Sequence, residues 1–205
     1  MGFIRALIVL HRFFGKRAPR DRIHILLRFL TSPMLRVLNA LPPNGSLLDI
    51  GAGHGLFAVL AQPRRVVAVE PDARKVRPID GIEFVIGFDA VVAGTFDAIS
   101  IIDVLYKIPL DEWDALLLRC LARLRAGGIV IIKEQDPTAR FKNGWNAIQE
   151  RGASALGLTL GESFTYESPA EFVARLQRLG FEGARSKRID FGYPHPHLLY
   201  TARKT

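Results

Sequence analysis

Apolar positions recur along this chain in two ways, and the change from one to the other falls near residue 44. At about 100° per residue, Phe3, Ile4, Leu7, Leu10, Phe13 and Phe14 spread over one side of a helix. Arg5, Arg12 and Lys16 fall in a narrow arc on the other side. Residues 22–41 read as a second helical stretch, interrupted near Pro33 and stopped by Pro42-Pro43-Asn44-Gly45. From residue 46 onward short apolar runs alternate with helical ones. Strands are predicted over 46–50, 65–69, 82–86, 96–102 and 129–133. Helices are predicted over 56–62, 72–77 and 111–124. Runs such as Val66-Val67-Ala68-Val69 and Ile129-Val130-Ile131-Ile132 are continuously apolar, not alternating, as strands buried on both faces are. The expected class is therefore α/β, a mostly parallel sheet with helices on both faces.

The C-terminal part adds a helix over 168–179. Ser168-Pro169 opens it, with Glu171 at capping-box spacing, and Gly180 ends it. Strands over 184–191 and 197–202 are joined by Gly192-Tyr193-Pro194-His195-Pro196, too short a link for a crossover helix. They are expected to pair antiparallel at one sheet edge. Residues 135–167 are the least patterned, and they follow the C-terminal end of a strand, where open α/β sheets bind ligands.

Composition narrows the reading. With 205 residues, 49% of them apolar, and a single Cys, the chain needs no disulfide framework and offers no all-Cys zinc site. No metal ligand set is expected. A reducing, cytoplasmic compartment fits the cysteine usage. The net charge of +8 is concentrated: residues 1–43 carry eight basic side chains and one acid, Asp21. The remaining 162 residues are nearly balanced, with 20 basic and 19 acidic side chains. Two units are thus expected, a basic amphipathic helical extension over 1–43 and a ligand-binding domain over 44–205. The longest apolar run of the first helix, Ala6 to Leu10, is far short of the ~20 residues that span a bilayer. Residues 3–17 can instead lie on the inner face of a membrane, or pack on the domain or on a second subunit in a homodimer. A near-neutral domain lacks the broad basic face that nucleic-acid substrates call for.

The chemistry is carried by Leu47-Leu48-Asp49-Ile50-Gly51-Ala52-Gly53-His54-Gly55-Leu56-Phe57, a strand, a glycine-rich turn and a helix start. Glycines let the backbone approach a ligand, and the helix N-terminus offers N–H groups to polar or anionic atoms. The dinucleotide fingerprint places its third glycine one position later, where this chain has Leu56. Glu70, in Val69-Glu70-Pro71, ends the second strand, where a carboxylate can accept both hydroxyls of a ribose. Cys120 falls on the apolar side of its helix and is read as a core residue.

On these residues the chain resembles the class I S-adenosylmethionine-dependent methyltransferases. Phe96-Asp97-Ala98-Ile99-Ser100, Asp103-Val104-Leu105 and Ala126-Gly127-Gly128 add to the likeness, which spans about 45–205. The resemblance implies a Rossmann-like, seven-stranded sheet with an antiparallel last strand. It also implies S-adenosylmethionine as cofactor, bound by Asp49, Gly51, Ala52, Gly53, Gly55, Glu70, Pro71, Asp103 and Val104, with Asp89 and Ala90 facing adenine. The family usually has Gly-Asp adjacent, whereas this chain has Gly87-Phe88-Asp89. Asp49 has two expected roles, contact with the donor or orientation of the loop through backbone N–H groups. Asp103-Val104-Leu105-Tyr106-Lys107-Ile108-Pro109 looks like the Asp-Val-Leu-His-His-Ile-Pro stretch of small-molecule methyltransferases, with Tyr-Lys in place of His-His.

Methyl transfer from a sulfonium is an in-line displacement, helped chiefly by holding the two reactants together. A base is needed only where the acceptor is protonated. Its candidates are His195, His197 and Tyr106, with Glu134 and His54 behind them. The Asn- or Asp-Pro-Pro-Tyr/Phe motif of base-amine methylation is absent, and Cys120 is misplaced for carbon-5 methylation. The expected acceptor is small and hydrophobic or membrane-associated. An apolar cap from Phe141, Trp145, Ala155, Leu156, Leu158, Leu160, Phe164 and Tyr166 would suit it. A non-catalytic donor-binding or membrane-associated protein, and methylation of protein or RNA, stay open as alternatives.

Overall fold

The computed structural model describes residues 1–87, 92–136 and 167–205. The order of elements is α1 (Phe3–Phe14), α2 (Pro19–Thr31), α3 (Met34–Leu38), β1 (Ser46–Ile50), α4 (Leu56–Ala61), β2 (Arg65–Glu70), β3 (Ile82–Ile86) and β4 (Phe96–Ile102). There follow α5 (Trp113–Arg123), β5 (Leu124–Gln135), α6 (Pro169–Arg178), β6 (Glu182–Arg188) and β7 (His197–Arg203). The strands form one seven-stranded sheet in the order β3-β2-β1-β4-β5-β7-β6. The first five are parallel, and β7 runs antiparallel between β5 and β6. This is the Rossmann-like arrangement with an antiparallel last strand that the sequence led us to expect. The chain reverses direction across the sheet between β1 and β4, so the ligand crevice is expected at the C-terminal ends of those strands.

Continuous apolar sequence becomes continuous burial: every residue of β1 is buried, and all of β2 beyond Arg65. On one face α1–α4 pack through Ala6, Leu10, Phe14, Ile25, Phe29 and Val37 against Leu47, Ala68 and Ile131. On the other, Trp113, Leu117 and Cys120 of α5 join Phe172 and Leu176 of α6 against Ile99, Val130 and Tyr200. The basic N-terminal helices therefore share a core with the sheet. α6 begins at the expected capping box, in which the Glu171 N–H donates to Ser168 Oγ and the Ser168 N–H to the Glu171 carboxylate. Edge strand β6 is almost fully exposed and carries Glu182, Arg185, Lys187 and Arg188, charges that discourage pairing with a further strand.

One predicted element is absent. Residues 72–77 make two successive turns, closed by Lys75 N–H to Asp72 C=O and Val76 N–H to Ala73 C=O, and no helix. The Asp72 carboxylate takes both the Arg74 N–H (3.1 Å) and its guanidinium (2.9 Å), a local bond that competes with helix formation. Pro78 then forbids another helical turn. Strand β5 is longer than predicted, because Leu124 already pairs with Phe96 before the Gly127-Gly128 irregularity. Among the described residues no helix is long and apolar enough to cross a membrane.

Candidate functional site

The glycine turn between β1 and α4 is set by backbone geometry. Gly51, Gly53 and Gly55 all have positive φ, at 72°, 59° and 83°. A Cβ on Gly51 would run into the Val104 side chain, and one on Gly55 would come within 2.8 Å of Phe84. At Gly53 the neighbourhood is open except for the Arg28 guanidinium, 3.6 Å away. The N–H groups of Gly51 and Ala52 both donate to Val69 C=O at 2.9 Å, tying the turn to the end of β2. Glu70 completes the link: its Oε2 accepts the Gly53 N–H at 2.8 Å, and its Oε1 accepts the Asp72 N–H at 3.1 Å. Oε1 also faces the Lys75 ammonium at 3.7 Å, and Oε2 keeps a further lone pair. The exposed Pro71 follows directly. The acid and the glycine loop that the sequence placed 15 residues apart thus form one cradle.

Asp49 lies behind this cradle, buried at 2% exposure. Its Oδ1 accepts the Ser100 hydroxyl at 2.6 Å, and its Oδ2 has no partner. Burial pushes the carboxyl up to about 7. It accepts none of the loop N–H groups, so the loop-orienting role expected as an alternative falls to Val69 C=O and Glu70 instead.

The second half of the site gathers at the ends of β4, β5 and β7, under α2. Asp103 leaves β4 at φ 57°, a left-handed conformation that Asp tolerates better than most residues. Its Oδ1 accepts from Lys133 Nζ at 2.6 Å, and Arg28 Nη2 lies 3.5 Å from Oδ2 and 3.1 Å from Ile102 C=O. Burial alone would raise the Asp103 carboxyl, but the Lys133 and Arg28 charges outweigh it and hold it below the usual carboxylate range. Lys133 itself is 1% exposed, and burial pulls its pKa down against the pull of Asp103. Glu134 Oε1 accepts the N–H groups of Val104 (2.9 Å) and Leu105 (2.8 Å), while its Oε2 is buried without a partner. Burial, then the Asp103 charge, push its pKa upward.

His197, at the start of β7, faces Thr31 C=O through Nε2 at 3.2 Å. The carbonyl can only accept, so Nε2 carries the proton and Nδ1, buried and unpartnered, keeps a free lone pair. Burial, followed by the Lys133 charge, drives its pKa down to about 4, which keeps the ring neutral near pH 7. His195 is half-buried with its ring 6.2 Å from that of His197. Tyr106 sits in a 3₁₀ turn over Leu105–Lys107, under the Lys107 ammonium at 5.0 Å. His54 meets His24 edge to face at 5.7 Å. Asp89, Ala90 and the apolar residues expected as a cap over 141–166 lie outside the described residues.

Sequence reasoning thus missed Arg28, Thr31 and Lys133. A lysine ending the apolar run Ile129–Ile132 was a visible signal, since such a position is buried and its charge needs a partner. Arg28 was masked by seven other basic residues in the same segment.

With this geometry in hand, residues 20–186 match the model of a family described as a methyltransferase domain. The match begins inside α2 and so includes Arg28 and Thr31. No protein of curated function matches the sequence. Solved structures share the fold. One is the 1,6-didemethyltoxoflavin-N1-methyltransferase of Burkholderia thailandensis, crystallised with 1,6-didemethyltoxoflavin and S-adenosylhomocysteine. It is 20% identical, covers 92% of this chain and 91% of its own, and has a TM-score of 0.62. Magnesium protoporphyrin IX methyltransferase from Synechocystis, with S-adenosylhomocysteine bound, is 16% identical over 98% of this chain and 94% of its own, with a TM-score of 0.62. A SAM-dependent methyltransferase from Archaeoglobus fulgidus is 13% identical over 97% and 99%, with a TM-score of 0.68.

Proposed function

The chain belongs to the family of methyltransferase domains, and on that premise we propose that it transfers a methyl group from S-adenosylmethionine to a small, hydrophobic acceptor that His197 orients through its free lone pair. The observation that carries the donor side is the 2.8 Å bond between Gly53 N–H and Glu70. It joins the loop that approaches the donor to the acid that would hold ribose hydroxyls. The residues present fit such a donor: Asp49 Oδ2 is a buried acceptor without a partner, the space above Gly53 holds only the end of the flexible Arg28 side chain, and Glu70 Oε2 retains acceptor capacity. S-adenosylmethionine, when bound, supplies a methyl group activated by its sulfonium.

Everything else is the work of this chain's own groups. Gly51, Ala52, Gly53 and Gly55 would hold the donor's methionine end, with Asp49 behind them and Glu70 on the ribose. Glu134 fixes the backbone of Val104 and Leu105, and the Val104 side chain packs over Gly51, so the turn after β4 forms the wall facing the donor. The bond to Thr31 fixes the His197 tautomer with Nδ1 unprotonated, so the ring can accept a hydrogen bond from an acceptor hydroxyl or amine, while burial and the Lys133 charge, which lower its pKa to about 4, leave it a weak base near pH 7. A small-molecule acceptor suits the nearly balanced charge of residues 44–205. The Burkholderia and Synechocystis enzymes of the same fold are likewise named for small molecules.

The test is transfer of labelled methyl from S-adenosylmethionine into an extract of the source cells, separated into organic-soluble, aqueous, RNA and protein fractions. Label is expected in organic-soluble small molecules. Its rate of appearance should fall roughly 100-fold in His197→Gln, with donor affinity unchanged. Label in RNA or protein would contradict the acceptor class. No label with donor binding intact would contradict catalysis, and an unchanged rate in His197→Gln would remove that residue from the reaction.

A further inference from the structure

Helix α2 presents three faces. Ile25 and Phe29 are buried in the core. Arg28, Thr31 and His24 meet the site through Asp103, His197 and His54. The third face, Ile23, Leu26, Leu27 and Leu30, is apolar and exposed. α1 repeats the pattern: Ala6, Leu10 and Phe14 are buried, whereas Ile4 and Ile8 are 73% and 64% exposed. Among the described residues, eight of the eleven exposed large apolar side chains fall within the first 30 residues. Such a concentration marks a contact surface, not the scattered apolar residues of an ordinary exterior. Between the two helices runs an apolar groove of about 490 Å³, lined by Leu7, Leu10, Phe14, Ile23, Ile25 and Leu26 among others.

Charge decides what would cover it. At 100° per residue, exposed Arg5 and Arg12 border Ile8 on α1, exposed Lys16 follows in the turn after that helix, and exposed Arg22 and Arg20 border the two edges of the α2 strip. Asp21 is the one acid in residues 1–43. A second copy of this chain would bring the same cations against their own kind, and two such surfaces would repel. An apolar strip rimmed by cations is complementary to an anionic lipid surface, where the apolar side chains enter the acyl boundary and the cations meet phosphates.

We propose that the outer face of the α1–α2 hairpin docks on bilayers containing anionic phospholipid, with Ile4, Ile8, Ile23, Leu26, Leu27 and Leu30 inserted and Arg5, Arg12, Lys16, Arg20 and Arg22 at the headgroups. Because α2 also carries Arg28 and Thr31, docking would bring the site close to the bilayer. Entry of a hydrophobic acceptor from there rests on the function proposed above, whereas docking itself does not.

The experiment is co-sedimentation of the full-length protein with phosphatidylcholine vesicles, with and without about one third phosphatidylglycerol, alongside measurement of S-adenosylmethionine affinity. The wild type should sediment with the anionic vesicles and weakly with the neutral ones. The double variant Ile8→Glu, Leu26→Glu should lose binding at least about tenfold, and Arg12→Glu, Lys16→Glu should lose the preference for anionic lipid. Donor affinity should be unchanged in both, which also reports that they fold. The proposal is overturned if the wild type stays in solution with anionic vesicles, or if both double variants bind as it does. A homodimer in solution that Ile8→Glu, Leu26→Glu dissociates, without vesicle binding, would assign the surface to a second copy and overturn it equally. Absence of donor binding by the wild type would strike the proposed function and leave the vesicle result standing.

Discussion

The two halves of the proposed site, one for the donor and one for the acceptor, are built on opposite terms. The donor half, β1–β2, is made by backbone: three glycines with positive φ, two N–H groups on Val69 C=O, and one carboxylate, Glu70, closing the cradle. The acceptor half is made chiefly by side chains arriving from four elements, with Arg28 and the Thr31 carbonyl from α2, Asp103 after β4, Lys133 and Glu134 from β5, and His197 from β7. Backbone cradles tolerate little variation in residue type and leave a local signature. Side-chain clusters are held by pairing of charges in a buried place, so their members depend on one another for stability as well as for chemistry.

The largest effect should therefore come from breaking a pair in the acceptor half. Lys133→Met removes the buried partner of the partly exposed Asp103 and leaves that carboxylate the 3.5 Å contact to Arg28, and it should cost about 3 kcal/mol of stability. A melting temperature within a degree or so of the wild type would show that the pair is not structural.

The donor half should behave in the opposite sense. Asp49 carries a carboxyl whose pKa is raised by burial to about 7. A group raised in the folded state contributes its full stability below its unfolded value and loses it as pH rises toward the folded one. Between about pH 4 and 7 the free protein is thus progressively destabilised by Asp49. Asp49→Asn keeps an oxygen for the Ser100 hydroxyl and removes the charge. It should match the wild type near pH 4 and be the more stable protein above pH 7, by a margin that grows between those values, while binding the donor more weakly. A stability difference that is flat with pH in chemical denaturation would contradict this account.

The same division explains what could be read from the sequence. Positive φ at Gly51, Gly53 and Gly55, the strand-end acid at Glu70 and the continuous apolar strands are consequences of local geometry. They stood in the residues themselves, as did the antiparallel final pair and the capping box at Ser168. The contacts of the acceptor half span long separations, 166 residues between His197 and Thr31 and 75 between Arg28 and Asp103, and no local period reports them. The helix expected over 72–77 failed for a related reason: the Asp72 side chain satisfied nearby donors that a helix would have used.

The central claim is that the glycine loop and Glu70 form the donor cradle, and it is tested most directly by calorimetric titration of S-adenosylmethionine into the wild type and Glu70→Ala. The account predicts saturable one-site binding by the wild type and a dissociation constant at least about tenfold higher in the variant. Equal affinity in the two proteins, or no binding by the wild type, would contradict it.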